Sequence, residues 1–425
     1  MRLEYVGSAF SFVFTSPVQR HETPEYLNFI KNTVDIANNW FPYHTFSVLF
    51  NGYNEPDDAE YHKRYFGKTP IYVDSGGLQM ITLGRTPTDE LREKVYNVQA
   101  KYGDYGLVFD EIPLRVTGKS QAVDVVSNAR KFDRSMIAEC AKQTAINIIK
   151  QIDIFDKLNS KCKPFMIIQG NGVESYQEWT DKILNNIPDD YQNKLAGIAS
   201  GGACIGDGEL EDLERYFTLS HLNAPKHLLK HFHLLGVGSP NRIQTLMKVE
   251  HLFDDTLISY DSTKHTGGVV RSQFQIDASI KMIGRHRNNV YWEVFNKFDA
   301  FQHSQLSETF TEEEFHDALL FSQGLLDEKY GKPDINPEFC RQQNKIRFAA
   351  CMFSVYNLFN LIDKVKSDTN FVSKSKKKNA ALYRTLEQVK NFDDFKYWKL
   401  NYGKYLESNR TKSVEDINSS LEEFF

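Results

Sequence analysis

Residues 232–261 read FHLLGVGSPNRIQTLMKVEHLFDDTLISYD, and this stretch predicts one strand–helix–strand unit. The pattern predicts strands at Phe232–Val237 and Thr256–Asp261. Ser239 and Pro240 between them are typical of a helix start, with a capping side chain followed by proline at the first helical position. One face of the predicted helix carries the apolar residues Ile243, Leu246 and Met247. Two strands joined through a helix favour parallel pairing.

The same unit recurs along the first 260 residues. Thr23 and Pro24 form a second helix start of this kind, and eight β-rich runs alternate with helical patterns. An α/β protein with a closed (β/α)8 TIM barrel is therefore predicted, with an open doubly wound sheet as the alternative. The predicted strands are Glu4–Phe12, Thr45–Phe50, Ile71–Asp74, Gly106–Asp110, Pro164–Gln169, Leu195–Ser200, Phe232–Val237 and Thr256–Asp261.

Two regions fall outside the regular alternation. The 59-residue gap between Asp110 and Gln169 predicts an extra helix, within a helical stretch from Ser120 to Leu158. After about residue 300 the strand pattern ends. We therefore predict a barrel domain over 1–300 and a helical C-terminal region over 301–425, whose SKSKKKN segment is either a solvated loop or a nucleic-acid contact.

Composition limits the class of protein. The chain has 425 residues, a formal charge of −5 and five scattered cysteines, so we expect a cytoplasmic protein without a disulfide framework. The most apolar stretch, Phe348–Ile362, is too short and polar to span a bilayer and predicts a buried helix. The negative charge argues against non-specific coating of nucleic acid, but it leaves room for a local basic surface.

Polar or glycine residues stand where the predicted strands end. In a parallel barrel the active site lies at the carboxyl ends of the strands, so these positions are candidate site residues. They are Asp74 in VDSGG, Asp110 in VFDE, Gln169 in IIQGNG, Gly201 and Gly202 in ASGGACIGDGE, Gly236 in LLGVGSP and Asp261 in ISYDST.

These motifs, in this order over residues 45–270, resemble the tRNA-guanine transglycosylase superfamily. A single motif is weak, because glycine pairs are common in turns, but six in order on successive strands are specific. The sequence looks closest to the phage DNA-guanine transglycosylases, which place 7-deazaguanines in DNA. The resemblance implies the same barrel fold and exchange of a nucleic-acid guanine for a free base.

The resemblance implies two catalytic carboxylates. Asp261 aligns with the nucleophile, which attacks the sugar C1′ and forms a glycosyl ester that a second base displaces. Asp254 and Asp255 are alternatives for this role, and Asp261 has the alternative reading of a turn aspartate. Asp74 aligns with the general acid/base, for which an Asx turn in Asp-Ser-Gly-Gly is the alternative.

A second group of residues is implied to bind the base. Asp110 would accept guanine N1–H and the 2-amino group, or alternatively form a strand-end salt bridge. Gln169 would reach the other edge of the base. The remaining pocket residues are Ser75, Gly201, Gly202, Ala203, Leu235 and Gly236.

Two basic segments are candidates for phosphate contact, or alternatively solvated surface. They contain Lys264 and His265, then Arg285 and Arg287. The chain departs from most superfamily members in lacking the cysteine-rich zinc motif after the barrel, since only Cys340 and Cys351 follow Asp261. We therefore predict no metal, no zinc subdomain and no cofactor.

The predicted function is exchange of guanine in DNA for a 7-deazaguanine base such as preQ0 or preQ1. The predicted partners are DNA and the free base, without a membrane; the sequence leaves the oligomeric state open. Two alternatives remain at this point: the same chemistry on tRNA, and a non-catalytic partner subunit of such an enzyme.

Overall fold

The computed structural model describes the barrel strands and, after them, several helices of the C-terminal region. The described residues are 1–8, 10, 23–53, 59–82, 87–116, 130–201, 209–238, 240–262, 274–275, 282–283, 301–302, 306–323, 337–368, 385–386 and 388–408.

Eight parallel strands form a closed barrel, which confirms the predicted (β/α)8 architecture. Around the barrel they run β1, β2, β3, β4, β7, β8, β9, β10, and β10 pairs back onto β1 with Val6 opposite Asp261. The strands are β1 (Arg2–Ser8), β2 (His44–Asn51), β3 (Ile71–Asp74), β4 (Tyr105–Leu107), β5 (Leu114–Val116), β6 (Arg130–Phe132), β7 (Lys163–Ile168), β8 (Gly197–Ser200), β9 (His231–Leu234), β10 (Leu257–Ser262), β11 (Phe274–Gln275) and β12 (Met282–Ile283).

Helices follow most barrel strands and continue into the C-terminal region. They are α1 (Pro24–Ala37), α2 (Ala59–Phe66), α3 (Gly77–Thr82), α4 (Asp89–Tyr102), α5 (Ile137–Lys157), α6 (Val173–Leu184), α7 (Asp189–Gln192), α8 (Glu209–Ser220), α9 (Pro240–Lys248), α10 (Leu306–Thr309), α11 (Glu312–Gln323), α12 (Pro337–Ser367) and α13 (Phe392–Ser408). The predicted cap of α1 is confirmed, because the Thr23 side chain accepts a hydrogen bond from the Tyr26 amide.

The segment between β4 and β7 differs from the prediction. The helix expected within Ser120–Leu158 is α5, but it begins only at Ile137, and the described residues before it contain the antiparallel pair β5–β6. The long gap therefore holds a small antiparallel sheet in front of the helix. A second short antiparallel pair, β11–β12, follows the barrel and was not predicted.

The predicted buried helix at Phe348–Ile362 is confirmed as the middle of α12. Phe359 packs against Tyr5 of β1 and Trp40, with ring centroids 6.4 and 6.2 Å apart. The same helix contacts α9 and α1, so its apolar residues share one hydrophobic core with the barrel. No described helix has the length and apolar character needed to cross a membrane.

Candidate active site

Three aspartates lie at the carboxyl ends of barrel strands. Asp74 is the last residue of β3, Asp261 is the next-to-last residue of β10, and Asp110 follows the end of β4 by three residues. The alternatives Asp254 and Asp255 precede β10 and therefore lie toward the opposite end of the barrel. Asp255 is exposed and forms a 3.1 Å ion pair with Lys230.

Asp261 is held by the loop that follows β9. The Gly236 amide donates a 2.8 Å hydrogen bond to Asp261 Oδ1. Gly236 has φ +72°, a conformation that side-chain-bearing residues rarely adopt, and this turn directs its N–H at the carboxylate. The glycine of LLGVG thus orients the proposed nucleophile through its backbone.

Asp74 has a carboxyl group that is hard to ionise. Burial raises its pKa to about 6, and the negative charge of Asp261 adds to this increase. Hydrogen bonds from the backbone amides of Gly76 and Ser75 lower the pKa and partly oppose it. Asn51 Nδ2 donates to Asp74 Oδ2 at 3.3 Å. The negative charge of Asp261 thus favours the protonated form of Asp74, as suits a proton carrier beside a candidate nucleophile.

Asp110 and Gln169 form a buried pair. Gln169 Nε2 donates to Asp110 Oδ2 at 2.6 Å, and burial raises the pKa of Asp110 to about 7 although this hydrogen bond opposes the shift. A Cβ on Gly201 would stand 2.1 Å from Gln169 Nε2, so only glycine leaves room for this amide. Asp110 forms no salt bridge among the described residues; the neighbouring Glu111 instead pairs with Arg92 at 2.6 Å.

The backbone around Asp110 is fixed by side chains of α4 and α5. Asn147 Nδ2 donates to the Phe109 carbonyl at 2.8 Å, and the Glu111 amide donates to Thr144 Oγ1 at 3.0 Å. The Phe109 amide faces the Tyr96 hydroxyl at 3.4 Å. Because β4 ends at Leu107, these side chains replace the sheet partners that a longer strand would supply.

Replacing Asn147 with alanine is expected to loosen this support. The buried Phe109 carbonyl would lose its donor, at a cost of about 1–3 kcal/mol. Urea unfolding measures the loss. Gln143→Ala is the matched control, since Gln143 lies one turn earlier on α5 and, among the described residues, bonds only the Asn147 side chain at 3.3 Å. Equal losses of stability in the two variants would show that the hydrogen bond from Asn147 to the Phe109 carbonyl is not the cause.

The raised pKa of Asp110 predicts a pH-dependent cost in stability. A folded pKa of about 7 lies above the unfolded value near 3.8, so the folded state binds the extra proton and loses stability as pH rises between the two values. Asp110→Asn removes this term. The variant is expected to lie close to wild type near pH 4 and to exceed it by about 4 kcal/mol at pH 8, at roughly 1.4 kcal/mol per pKa unit. Urea unfolding at both pH values tests this, and no gain at pH 8 contradicts it.

The other predicted pocket residues lie at the same strand ends where the structure describes them. Ser75 is buried directly after Asp74, with its Oγ accepting from the Gly77 amide at 3.3 Å. Leu235 follows β9 and is partly exposed, and Gly201 follows β8. The predicted residues Gly202, Ala203, Lys264, His265, Arg285 and Arg287 lie outside the described residues.

Sequence reasoning missed two side chains at the acids. His233 of β9 lies with Nε2 3.6 Å from Asp261 Oδ1, and Asn51 at the end of β2 contacts Asp74. The signal for His233 was its spacing, because in a strand it shares a face with Leu235, two residues later. Within the described residues, no cluster of three or more His, Cys, Asp or Glu side chains is placed to hold a metal ion.

Comparison with known proteins finds relatives of low identity. No protein-family model matches the chain. It is similar to the queuine tRNA-ribosyltransferase of Vibrio parahaemolyticus, with 26% identity over 226 residues, 48% of this chain and 53% of the relative. For the enzyme of the same name from Shewanella halifaxensis the identity is 30% over 190 residues, covering 40% and 44%. The chain thus spans about half the length of the curated relatives it matches.

Proposed function

We propose that this chain, whose similarity to queuine tRNA-ribosyltransferases supports membership of the tRNA-guanine transglycosylase superfamily, is a pentosyltransferase that exchanges a guanine in DNA for a free 7-deazaguanine. The observation that carries the proposal is the electrostatic interaction between Asp261 and Asp74. Asp261 is oriented by the Gly236 amide, and its charge helps raise the pKa of Asp74 to about 6. One carboxylate is thereby oriented for attack while the other is still partly protonated close to neutral pH.

In the first half of the reaction Asp261 attacks the sugar C1′ of the target nucleotide. The C1′–N9 bond breaks, Asp74 gives its proton to the departing guanine, and a glycosyl ester forms on Asp261. In the second half a 7-deazaguanine such as preQ0 or preQ1 enters. Asp74 takes a proton from it, and its nitrogen displaces Asp261 from C1′. A pKa of about 6 suits both directions of proton transfer, because either form of Asp74 is accessible near pH 7.

The base is proposed to be read by the pair Asp110 and Gln169. An ionised Asp110 offers two acceptors to guanine N1–H and the 2-amino group. Gln169 Nε2, which donates to Asp110 Oδ2, is a donor beside the same place in the pocket. Ser75, Gly201, Leu235 and Gly236 would line the pocket. We propose that the Gly202–Ala203 backbone contacts the guanine O6.

The polynucleotide is proposed to be DNA, with the target nucleotide flipped out of any duplex. This part depends on the sequence resemblance to phage enzymes. Lys264 and His265, next to the nucleophile strand, and Arg285 and Arg287 are the proposed phosphate contacts. The names of the relatives favour tRNA as the second candidate, since each of them is called a tRNA-ribosyltransferase.

One experiment separates these substrates. Radiolabelled guanine is incubated with the protein and with separate pools of double-stranded DNA, single-stranded DNA and tRNA. Label entering only DNA supports the proposal, and label entering only tRNA supports the second candidate. Withholding the free base should trap a denaturation-resistant adduct with the same pool. No label and no adduct with any pool would contradict the exchange activity.

A further inference from the structure

A chain of polar side chains fills the barrel interior beneath the proposed active site. Its members face inward, because they connect strands that are not neighbours: the Tyr72 hydroxyl of β3 donates to Glu4 Oε2 of β1 at 2.7 Å and lies 3.2 Å from His231 Nε2 of β9. Barrel interiors are usually packed with branched apolar residues, and buried polar groups are costly unless bonded. The chain comprises Glu4, Tyr72, His231, Ser259 and His233.

His233 is the end of this chain that lies nearest to Asp261. Its ring is fully buried and stacks on Tyr72, with centroids 5.1 Å apart. Nδ1 lies 2.9 Å from Ser259 Oγ, and Nε2 faces Asp261 Oδ1 at 3.6 Å. Nε2 has no hydrogen-bond partner among the described residues, so the nucleophile is the polar group that it faces.

The Tyr72 hydroxyl determines which atoms of this chain donate hydrogen bonds and which accept them. Its single hydroxyl proton goes to Glu4, so toward His231 its oxygen acts as an acceptor. His231 Nε2 therefore carries a proton, which also points to Ser259 Oγ at 3.0 Å. Each hydroxyl in the chain then has one acceptor for its own proton.

These hydrogen bonds also determine which ring nitrogen of His233 carries the proton. Ser259 receives the His231 proton and gives its own to His233 Nδ1 at 2.9 Å, which is nearer than the Phe232 carbonyl at 3.3 Å. The Tyr72 hydroxyl also contacts Ser259, but its oxygen already accepts from His231. The ring proton of His233 then lies on Nε2. The opposite tautomer would put an unshared electron pair against the Asp261 carboxylate, which electrostatics disfavours.

We propose that His233 is a positioning residue for Asp261, with Nε2–H directed at Oδ1. Together with the Gly236 amide it holds one carboxylate oxygen and leaves Oδ2 to attack C1′. Within the described residues no hydrogen bond reaches Oδ2, in keeping with this division of the two oxygens. The inference deepens the proposed function and depends on it for its effect on rate, whereas the tautomer is a property of the free protein.

The first test is the ¹⁵N NMR spectrum of histidine-labelled protein without substrate. His233, assigned from the His233→Gln spectrum, is expected to carry its proton on Nε2, and Asp261→Ala is expected to weaken this preference. A bare Nε2 in wild type overturns the proposal. This measurement is independent of activity, so it stands even where no base exchange is found, and that failure would count against the proposed function alone.

The second test compares amides of two lengths. The amide nitrogen of His233→Gln reaches the position of Nε2, whereas that of His233→Asn reaches only that of Nδ1. We expect kcat for base exchange within about threefold of wild type for His233→Gln and reduced about 10- to 100-fold for His233→Asn, with KM within about twofold in both. Equal losses in the two variants, or a change confined to KM, overturn the proposal.

His44 supplies the matched control. It is a fully buried imidazole of β2 with one nitrogen 2.7 Å from the Tyr260 hydroxyl, and its other nitrogen has no partner among the described residues. His44→Gln and His44→Asn are expected to lower stability without separating in kcat. The same Gln-over-Asn difference at His44 would show that it reflects packing and would overturn the proposal.

Discussion

Asp261→Asn is expected to reduce base exchange by about 10⁴-fold or more, because an amide cannot form the glycosyl ester. The change is nearly isosteric, and the asparagine Oδ1 can still accept the Gly236 amide that now bonds Asp261. The barrel and the base pocket should therefore persist. Transfer of labelled guanine measures the loss, and the denaturation-resistant adduct should disappear with it.

Asp255→Asn is the control for this experiment. Asp255 precedes the same strand, but its exposed carboxylate pairs with Lys230 toward the other end of the barrel. Such surface pairs contribute little, so exchange and stability should stay close to wild type. If Asp261→Asn exchanged base as fast as wild type, Asp261 would not be the nucleophile.

The barrel was predictable because each β-rich run ends at a polar or glycine residue. Asp74 terminates β3 in both prediction and structure, and the other barrel strands differ from prediction by a few residues at their ends. The exception with a structural cause is β4, predicted over Gly106–Asp110. It stops at Leu107 because Asn147, Tyr96 and Thr144 bond the following backbone, and these residues come from distant parts of the chain.

The antiparallel pair before α5 shows a different limit. The sequence predicted helix over Ser120–Leu158, and local propensity cannot reveal that β5 and β6 pair with each other. Strand pairing depends on partners distant in sequence, which a periodicity argument does not identify. The late start of α5 at Ile137 follows from that pairing.

The positions of the three aspartates at strand ends follow from the sequence, whereas their electrostatics do not. Residues two apart in a strand share a face, as His231 and His233 do, but only barrel closure shows that this face points inward, toward Ser259. The pKa of Asp110 likewise depends on burial and on its bond to Gln169, a contact across 59 residues. Both features cost stability, as polar groups at functional sites often do.

Asp74→Asn is expected to slow the release of guanine by about 10²- to 10⁴-fold, the usual contribution of a positioned general acid. The reason is that an amide has no proton to give at a position where Asp74, with a pKa of about 6, is partly protonated near neutrality. The loss should depend on the leaving base. A 7-methylguanine in the target strand already carries a positive charge, so it departs as a neutral molecule without protonation.

The variant should therefore lose less than about tenfold on a 7-methylguanine substrate. The pocket should admit the methyl group, because the incoming bases of the proposed reaction carry substituents at the same ring position. Single-turnover release of the two bases, measured with wild type and Asp74→Asn on otherwise identical strands, gives the comparison. Equal losses on both would mean that Asp74 acts through its charge or its contact with Asn51 and not as the proton donor to the leaving group.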